Sequence, residues 1–244
     1  MQILTDLHTH TIASAHGYST IYENICAAKE KGLEMIAITD HAPSMPDAPH
    51  PWHFLGLDNA PKFYNGIKVL SGVELNIVNK SGEIDLEEGI LKKKIDLVIA
   101  SIHGVTYKEP AGGDHTETWL NVIENPYVDI LGHSGSPEYP YDIDVVIKAA
   151  KAAGKCVEIN NHSFSARPKN IERCREIALA CKRLGAYIVV NSDAHFMGQI
   201  GTFEKAVTML EEIDFPEELI MNLNSDRFIK YIENKKNIKF DFGE

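Results

Sequence analysis

Two short pairs of polar residues have the types and the spacing of metal ligands. His8 and His10 are two residues apart, and Asp193 and His195 repeat that spacing towards the C-terminus. Side chains two residues apart on an extended chain point to the same side, so each pair can present two donor atoms to one ion. Imidazole and carboxylate ligands without cysteine are typical of Zn, Mn or Fe sites. Each pair alone is weak evidence, since such pairs also occur by chance.

Further residues of the same types follow other apolar runs of the chain. His41, Glu74, His103 and His133 each stand at the end of a separate run, and His16 lies shortly after the first run. Taken singly, a histidine in such a place is more often structural. Burying seven imidazoles and two carboxylates together would be costly without cations, and divalent metals remove that cost. We therefore predict one metal centre built from His8, His10, His16, His41, Glu74, His103, His133, Asp193 and His195.

The size of this ligand set indicates a polynuclear centre. Nine ligands are more than one or two ions require while water positions stay open, so about three divalent ions with three or four protein ligands each is the natural division. A carboxylate such as Glu74 can bridge two of them. The donor set suits Zn, Mn or Fe and does not decide between them, because metal availability matters as well as ligand type.

The elements that must position these residues are short strands that alternate with helices. The strand-like runs are rich in Val, Ile and Leu, as expected for strands buried on both faces. They cover residues 3–7, 35–39, 69–75, 97–102, 128–131, 156–159 and 187–190. Helical patterns that begin at a capping residue and end at a glycine cover residues 20–32, 142–154 and 170–185. Three more predicted helices cover residues 115–124, 202–213 and 225–234. Residues 42–66, rich in proline and aromatics, are predicted to form a long loop over the site.

This alternation predicts a (β/α) barrel, with an open doubly wound sheet as the alternative. The position of the polar residues favours the barrel, because the C-terminal ends of barrel strands converge on one rim where active sites lie. The sixth predicted strand is the exception, since it ends in Asn160 and Asn161 rather than in a metal ligand. We expect one domain that covers residues 1–244.

Several of these segments together resemble the PHP superfamily, named for polymerase and histidinol phosphatase. The motifs that carry the resemblance span essentially the whole chain: residues 6–10 (DLHTH), 38–41 (ITDH), 72–74 (GVE), the isolated His103 and His133, and 192–195 (SDAH). Residues 49–54 and 158–161 look closest to the stand-alone bacterial phosphatases of that superfamily.

The resemblance implies a distorted (β/α)7 barrel, similar to a TIM barrel, with a trinuclear and usually zinc centre. It implies three ligand groups: His8, His10, Glu74 and Asp193; Glu74, His103 and His133; and His16, His41 and His195. The chain departs from the pattern at Ser134, where the family often has proline, and at Gly104, where it often has a carboxylate. Neither departure removes a ligand, and both bear on substrate preference.

The activity that the resemblance implies is hydrolysis of a phosphoester, and we predict a small phosphomonoester. Metal-bound water has a pKa of about 7, so metal-bound hydroxide would be available at neutral pH to attack phosphorus. Asp193 is a candidate proton acceptor besides its ligand role. His50, His53 and Arg167 are candidates to bind phosphate or to protonate the leaving group. The alternatives are loop packing for the two histidines and an ordinary surface position for the arginine.

Four more residues are assigned from their neighbours in sequence. Asp6 and Asp40 adjoin ligands and are expected either to orient imidazoles or to have plain structural roles. His162 is a weaker candidate for the site, and His115 is expected to cap a helix or to face solvent.

The composition limits the partners of the chain. Its 244 residues carry a net charge of −11, which argues against general binding to nucleic acids or acidic membranes. A small phosphorylated substrate remains compatible, because metal ions supply positive charge locally. Neither a secretory signal nor a run of about eighteen apolar residues is visible. The four cysteines form no CxxC pair, so we expect free thiols and a cytoplasmic protein. The sequence does not predict an oligomeric state.

Four rival functions follow from the same residues. Within the phosphatases, the rival is a histidinol-phosphate phosphatase. A phosphodiesterase or exonuclease is disfavoured by the acidic balance and the lack of a basic groove. An amidohydrolase commonly uses a carbamylated lysine, and none of the predicted strands ends in lysine. A metal-binding module without activity is disfavoured because the ligand set is complete.

Overall fold

The structure is a computed structural model that describes residues 1–243. Within these residues the strands are β1 (Thr5–Thr9), β2 (Met35–Ile38), β3 (Phe63–Tyr64), β4 (Ile67–Asn76), β5 (Leu97–Ser101), β6 (Ile130–Leu131), β7 (Cys156–Asn160) and β8 (Ile188–Asn191). The α-helices are α1 (Ile21–Glu30), α2 (Trp52–Leu55), α3 (Glu88–Lys94), α4 (Thr116–Glu124), α5 (Ile143–Ala152), α6 (Ser163–Ala166), α7 (Ile171–Leu184), α8 (Glu204–Glu212) and α9 (Ser225–Lys236). Short 3-10 turns cover Leu57–Asn59, Pro168–Asn170, Met197–Gln199 and Glu217–Leu219.

Seven of the strands form one parallel sheet in the order β1-β2-β4-β5-β6-β7-β8, and β3 pairs antiparallel with β4. The first and last strands approach each other at their C-terminal ends. There the backbone N–H of His10 donates to the carbonyl of Ala194 at 2.8 Å, and Thr9 and Ala194 form a parallel bridge. The sheet is therefore nearly closed into a barrel with helices around it, which confirms the predicted fold class.

The helices begin and end where the local chemistry of the chain predicts. Thr20 and Glu23 form the expected capping box of α1, with the Glu23 N–H donating to Thr20 Oγ1 at 3.2 Å. Asp142 caps α5 by accepting from the Val145 N–H at 3.1 Å. Gly185, with φ of 67°, ends α7 in the left-handed conformation that glycine adopts without strain.

Apolar side chains fill both sides of the sheet. The larger cluster lies between the strands and the surrounding helices, for instance Ile36 of β2 and Val98 of β5 with Ile177 of α7. The smaller cluster contains the alternate residues of the same strands, such as Leu97 and Ile99, together with α9. Phe228 and Ile232 of α9 are fully buried there. Helix α9 therefore packs against residues inside the barrel. Among residues 1–243 no helix has the length and apolar character needed to cross a bilayer.

The prediction of one long loop over residues 42–66 is wrong in part. The segment contains α2, a 3-10 turn and β3, which extends the sheet beside β4. Phe54 of α2 is fully buried, whereas Trp52 is 75% exposed. The short helix forms because Phe54 packs into the core, and a helix of four residues has too little periodicity to be recognised in the sequence.

Candidate metal centre

Glu74, near the end of β4, lies at the centre of the predicted ligand set and is fully buried. Its Oε1 atom lies 2.9 Å from His133 Nε2 and 3.3 Å from His103 Nε2. The histidines that follow β5 and β6 thus meet at one oxygen. Gly132 permits this approach, because a Cβ atom there would lie 2.2 Å from Ser101 Oγ.

The second oxygen of Glu74 faces the first two strands. Its Oε2 atom lies 2.8 Å from His41 Nδ1, 3.4 Å from His8 Nε2 and 3.6 Å from His10 Nε2. One carboxylate therefore contacts imidazoles from both halves of the barrel. This is the placement that the sequence predicts for a carboxylate that bridges two ions.

Asp193 supplies the other carboxylate, from the loop after β8. Its Oδ1 atom lies 3.3 Å from His10 Nε2, 3.5 Å from His8 Nε2 and 3.6 Å from His195 Nδ1. The backbone of Asp193 has a φ of 57°, a left-handed conformation that is uncommon outside glycine and recurs at functional sites. This turn directs the aspartate into the cluster.

The remaining predicted ligand, His16, lies at the solvent side of the cluster. Its Nε2 atom is 3.2 Å from His41 Nε2, and its ring stacks on that of His195 with centroids 4.7 Å apart. The side chain of His16 is 44% exposed, in contrast to the fully buried His8 and His10. His16 therefore lies where solvent reaches the centre.

Four of the histidines are fixed by partners on the far side of their rings. The Nδ1 atom of each lies within 3.0 Å of an oxygen acceptor, which leaves the Nε2 lone pair facing the cluster. The pairs are His8 with Glu158 at 2.7 Å, His16 with Asp47 at 2.6 Å, His103 with Asn76 at 2.8 Å and His195 with the carbonyl of Asp193 at 3.0 Å. This is the hydrogen-bond pattern of histidines that ligate metal.

The buried polar atoms at the centre test whether a metal fits. His8 Nε2, both ring nitrogens of His10, His41 Nδ1, His103 Nε2 and Glu74 Oε2 have no hydrogen-bond partner among residues 1–243. A buried polar atom without a partner costs about 1–3 kcal/mol. Divalent cations would satisfy these atoms, and the donor set of imidazoles and carboxylates is the one that Zn, Mn and Fe accept. The residues present fit the metal centre that the sequence predicts.

Donor atoms within 4.8 Å of one another define three triads in the described chain: His8, His10 and Asp193; His10, His41 and His195; and His41, Glu74 and His103. The triads resemble the three groups that the family resemblance implies, but they share His10 and His41. His16 and His133 lie next to these triads, against His41 and Glu74. The division of ligands among ions stays a prediction.

The electrostatics keep Glu74, His10 and His103 in the forms that bind metal, whereas nearby carboxylates raise the pKa of His8 and His41 despite their burial. Burial opposes ionisation of Glu74, yet the charges of His8, His103 and His41 hold its pKa well below the usual value. Burial, together with the charge of His41, lowers the pKa of His10 to about 3. Burial likewise lowers the pKa of His103 to about 4. The carboxylate is therefore ionised at neutral pH, while these two imidazoles are neutral.

Glu158 is the residue that the sequence analysis missed. It lies in β7, fully enclosed, and its Oε1 accepts from His8 Nδ1 while its Oε2 accepts from the backbone N–H of His133 at 2.8 Å. Burial opposes ionisation, but His8 lowers the pKa of Glu158. Glu158 alternates with Cys156 and Asn160 on a strand whose inward side chains follow a period of two, and that pattern was the available signal. The amide of Asn160 donates to Asp193 Oδ2 at 3.1 Å.

The two aspartates that adjoin ligands have structural roles. Asp40 accepts from the N–H and hydroxyl of Thr11 and from Ser14 Oγ, each at 2.8 Å, and so holds the loop after β1. Asp6 accepts from the N–H and hydroxyl of Ser192 and from the Gly201 N–H, and it forms no hydrogen bond to an imidazole in the described chain. The structural alternative therefore holds for Asp6, whose pKa burial raises to about 6.

Of the candidate residues outside the ligand set, Arg167 and His162 lie beside predicted ligands, whereas His53 contacts Asp40. Arg167 lies at the site, with Nη2 at 3.8 Å from Asp193 Oδ2 and Nη1 without a hydrogen-bond partner among residues 1–243. His162 is nearby, with its ring centroid 6.1 Å from that of His195. His53 donates at 3.1 Å to Asp40, which directly precedes the predicted ligand His41 in the sequence. His53 also lines a separate apolar pocket.

Two further histidines make their hydrogen bonds outside the ligand set. His50 is exposed, and its Nδ1 atom accepts from the Trp52 N–H at 3.2 Å, so its role at the site stays a prediction. His115 is 4% exposed, and its side chain makes no capping hydrogen bond although it stands at the N-cap position of α4. It accepts from the Tyr107 hydroxyl and donates to the Gly112 carbonyl, each at 3.0 Å. The prediction that His115 caps a helix or faces solvent is therefore wrong, because these partners satisfy its ring inside the protein.

A groove of about 590 Å³ opens beside the centre. Its lining includes His103 and His133 of the centre, the basic side chains of Arg167 and Lys169, and Tyr139. The groove has the size of a small-molecule site. It connects the histidines of the centre with two basic side chains at its opening.

The comparisons with known proteins agree with this geometry. The family model described as PHP domain matches residues 6–162. A probable phosphatase of Acetivibrio thermocellus is 44% identical over 236 residues, which cover 97% of this chain and 98% of that protein. A probable phosphatase of Thermoanaerobacter sp. (strain X514) is 46% identical over 239 residues, with 97% of each chain covered.

Solved structures share the fold. Histidinol phosphate phosphatase from Lactococcus lactis, complexed with Zn, L-histidinol and phosphate, aligns with a TM-score of 0.62 at 21% identity, covering 88% of this chain and 95% of that one. A chain of archaeal ribonuclease P with mature tRNA aligns with a TM-score of 0.61 at 16% identity, covering 95% and 91%. From the family model and the near full-length relatives, the chain belongs to the PHP domain family and is a hydrolase of phosphoester bonds.

Proposed function

We propose that this chain hydrolyses a small phosphomonoester at a centre of about three divalent metal ions. The observation that carries the proposal is the convergence of seven histidines around Glu74 and Asp193, with buried donor atoms that lack protein partners among residues 1–243. Zn is the metal we expect, with Mn or Fe as alternatives, and the Lactococcus lactis structure in complex with Zn shares the fold. The bound ions would supply Lewis-acid stabilisation of the phosphoryl group and a water whose pKa is lowered to about 7.

Neighbouring residues orient the histidines of the centre and supply charged groups beside them. Glu158 holds the proton of His8 on Nδ1, and Asn76 does the same for His103, so both Nε2 atoms point inward. Arg167 lines the groove, with Nη2 at 3.8 Å from Asp193 Oδ2, and its guanidinium would bind a phosphate oxygen there. Asp193 is first a ligand, because His8 and His10 face its Oδ1 atom, and a proton acceptor second.

The groove supports a small substrate. Its volume of about 590 Å³ accommodates a phosphate group with a modest organic part. The chain as a whole carries a charge of −11, so the positive charge for an anionic substrate comes from the ions, Arg167 and Lys169. A long nucleic acid would need an extended basic surface.

The proposal is tested by comparing a monoester with a diester on metal-replete protein. We expect turnover of p-nitrophenyl phosphate, little turnover of bis(p-nitrophenyl) phosphate, and loss of activity with a chelator that is reversed by Zn. Arg167→Gln should raise KM about tenfold, since a charge-assisted hydrogen bond contributes about 1.5–3 kcal/mol, while Lys93→Gln on the outer face of α3 serves as the control. Diester turnover that exceeds monoester turnover would overturn the monoester assignment. L-histidinol phosphate is the third substrate to assay.

A further inference from the structure

Three lysines surround one buried aspartate at the opposite end of the barrel from the metal centre. Asp129 directly precedes β6, and Lys155 directly precedes β7. Lys235 and Lys236 come from the last turn of α9. Both lysines of α9 contact Asp129, Lys235 at Oδ1 and Lys236 at Oδ2 with a distance of 2.7 Å. Lys155 lies beside them, with Nζ at 2.6 Å from the carbonyls of Asn125 and Val128.

Burial sets this cluster apart from the solvated lysines elsewhere on the surface. Asp129 is fully buried and Lys155 is only 3% exposed, while the side chains of Lys235 and Lys236 are 15% and 19% exposed. Lysine is almost never buried to this degree unless it is paired with an opposite charge. Here Lys235 and Lys236 share the one carboxylate and Lys155 has only carbonyl partners, so the cationic side chains outnumber the anionic one.

The pKa of Lys155 reflects this excess. Burial together with Lys235 and Lys236 lowers that pKa to about 7, although Asp129 opposes the shift. The cluster is therefore short of negative charge at neutral pH. A second anion beside the lysines would relieve the repulsion.

The hydrogen bonds of the lysines leave donors available. Each ammonium has three protons. Among residues 1–243, Lys155 donates two protons to backbone carbonyls. Lys235 donates one to the Val128 carbonyl and one to Asp129, and Lys236 donates one to the Asp96 carbonyl and one to Asp129. One proton of each ammonium group is therefore left for a further acceptor.

These lysines line a cavity of about 610 Å³ between α9, the end of α4 and the start of β7. Lys92 of α3 lies on the same wall, and Glu124, which is exposed, is the acidic residue of the lining. The lining is therefore basic, in a chain whose overall charge is acidic. The cavity is also larger than a single inorganic anion requires.

We propose that Lys155, Lys235 and Lys236 form a second anion-binding site, which takes the phosphate group of a small molecule. A phosphate group would balance the positive charge that Asp129 leaves unpaired, and its oxygens can accept from ammonium groups on α9 and on the residue before β7. The site is separate from the metal centre, because β6 and β7 carry their ligands at the other ends of the strands. A bound phosphate would link α9 to the β6 and β7 ends of the barrel.

The test counts phosphate-binding sites on the metal-replete protein. Binding of inorganic phosphate is measured by isothermal titration at constant ionic strength, adjusted with chloride. We expect Lys155→Met and Lys236→Gln each to weaken one class of phosphate site at least tenfold, while turnover of p-nitrophenyl phosphate is unchanged. Lys93→Gln, which changes an exposed lysine outside the cavity, should bind like the wild type.

Two variants keep the test decisive. If Lys155→Met does not fold, Lys236→Gln carries the result, because Asp129 keeps Lys235 and the Val98 N–H as partners. Identical phosphate stoichiometry and affinity in wild type and Lys236→Gln would overturn the proposal. Phenylphosphonate identifies the source of the phosphate group: binding tighter than that of inorganic phosphate, lost in Lys236→Gln, supports an organic phosphate, and equal binding supports the free anion.

Discussion

The two ends of the barrel surround a buried carboxylate with chemically opposite neighbours. Each places a buried carboxylate at its centre, Glu74 at the carboxyl ends of the strands and Asp129 at the amino ends. Glu74 is surrounded by imidazoles, which are neutral when deprotonated and then offer lone pairs to cations. Asp129 is surrounded by ammonium groups, which offer only protons. The difference teaches that the neighbours of a buried carboxylate decide whether the region suits a cation or an anion.

The largest effect is expected from removing the carboxylate of the metal end. Glu74→Gln keeps the shape but loses the charge that five histidines face. We expect loss of bound metal and a fall in phosphatase activity of about a thousandfold, since metal stabilisation is worth several kcal/mol and each factor of ten corresponds to about 1.4 kcal/mol. Activity and metal content are measured together. Glu218→Gln on the surface is the control, and a variant with normal metal and activity would remove Glu74 from the centre.

The matching substitution at the other end should affect stability instead of activity. Asp129→Asn leaves three buried or half-buried lysines without their carboxylate, and breaking a buried pair in this way costs about 3–5 kcal/mol. Urea unfolding should show this loss while the metal content per folded chain stays constant. Asp144→Asn, which breaks an exposed pair with Arg183, should cost less than about 1 kcal/mol. Equal stability of the two variants would mean that the ion pairs of Asp129 contribute no more to the free energy of unfolding than the exposed pair does.

A smaller effect is expected from the residue behind the metal centre. Glu158→Gln keeps an acceptor for His8 but removes the negative charge that fixes its ring. Substitution of such partners typically costs about 10–100-fold in metal affinity or activity. Metal affinity is measured by competition with a chelator, and circular dichroism checks that the variant is folded. Unchanged affinity would show that the hydrogen bond to His8 only packs the strand.

The smallest effect is a pH dependence at the lysine end. The pKa of Lys155 is about 7 in the folded protein and 10.5 as its ordinary value, so between these values the unfolded chain binds more protons. Stability from this group is therefore present above pH 10.5 and is lost as the pH falls to 7, with a slope of at most about 1.4 kcal/mol per pH unit. Urea unfolding at pH 7.5 and pH 9.5 should show wild type gaining relative to Lys155→Met. A constant difference between the two proteins would contradict the lowered pKa.

The metal end was predictable because its residues follow a regular rule of position. His41, Glu74 and His103 each come at the end of an apolar run, and the fold brings those ends together whatever the distance in sequence. Glu158 does not follow this rule, because it lies within the apolar run, two residues before the end of β7. Glu158 points into the barrel because side chains alternate between the two faces of β7, and a rule based only on strand ends does not consider this alternation.

The lysine end was not predictable because nothing local marks it. Asp129 precedes a strand of two residues, and Lys235 and Lys236 look like the solvated, basic last turn that helices commonly have. Their contact requires α9 to return across the amino end of the barrel, more than 100 residues after Asp129. The misassigned residues have the same cause: His115 and the α2 segment are placed by tertiary contacts with Tyr107 and with the core around Phe54.

The central claim is the polynuclear metal centre, and its most direct test is elemental analysis of the purified chain. Protein expressed in metal-supplemented medium and washed free of loosely bound metal should contain about three transition-metal ions per chain. Glu74→Gln prepared in parallel should contain fewer. One ion or none in the wild type would contradict the account, because the nine donors around Glu74 and Asp193 would then be held together by something other than metal.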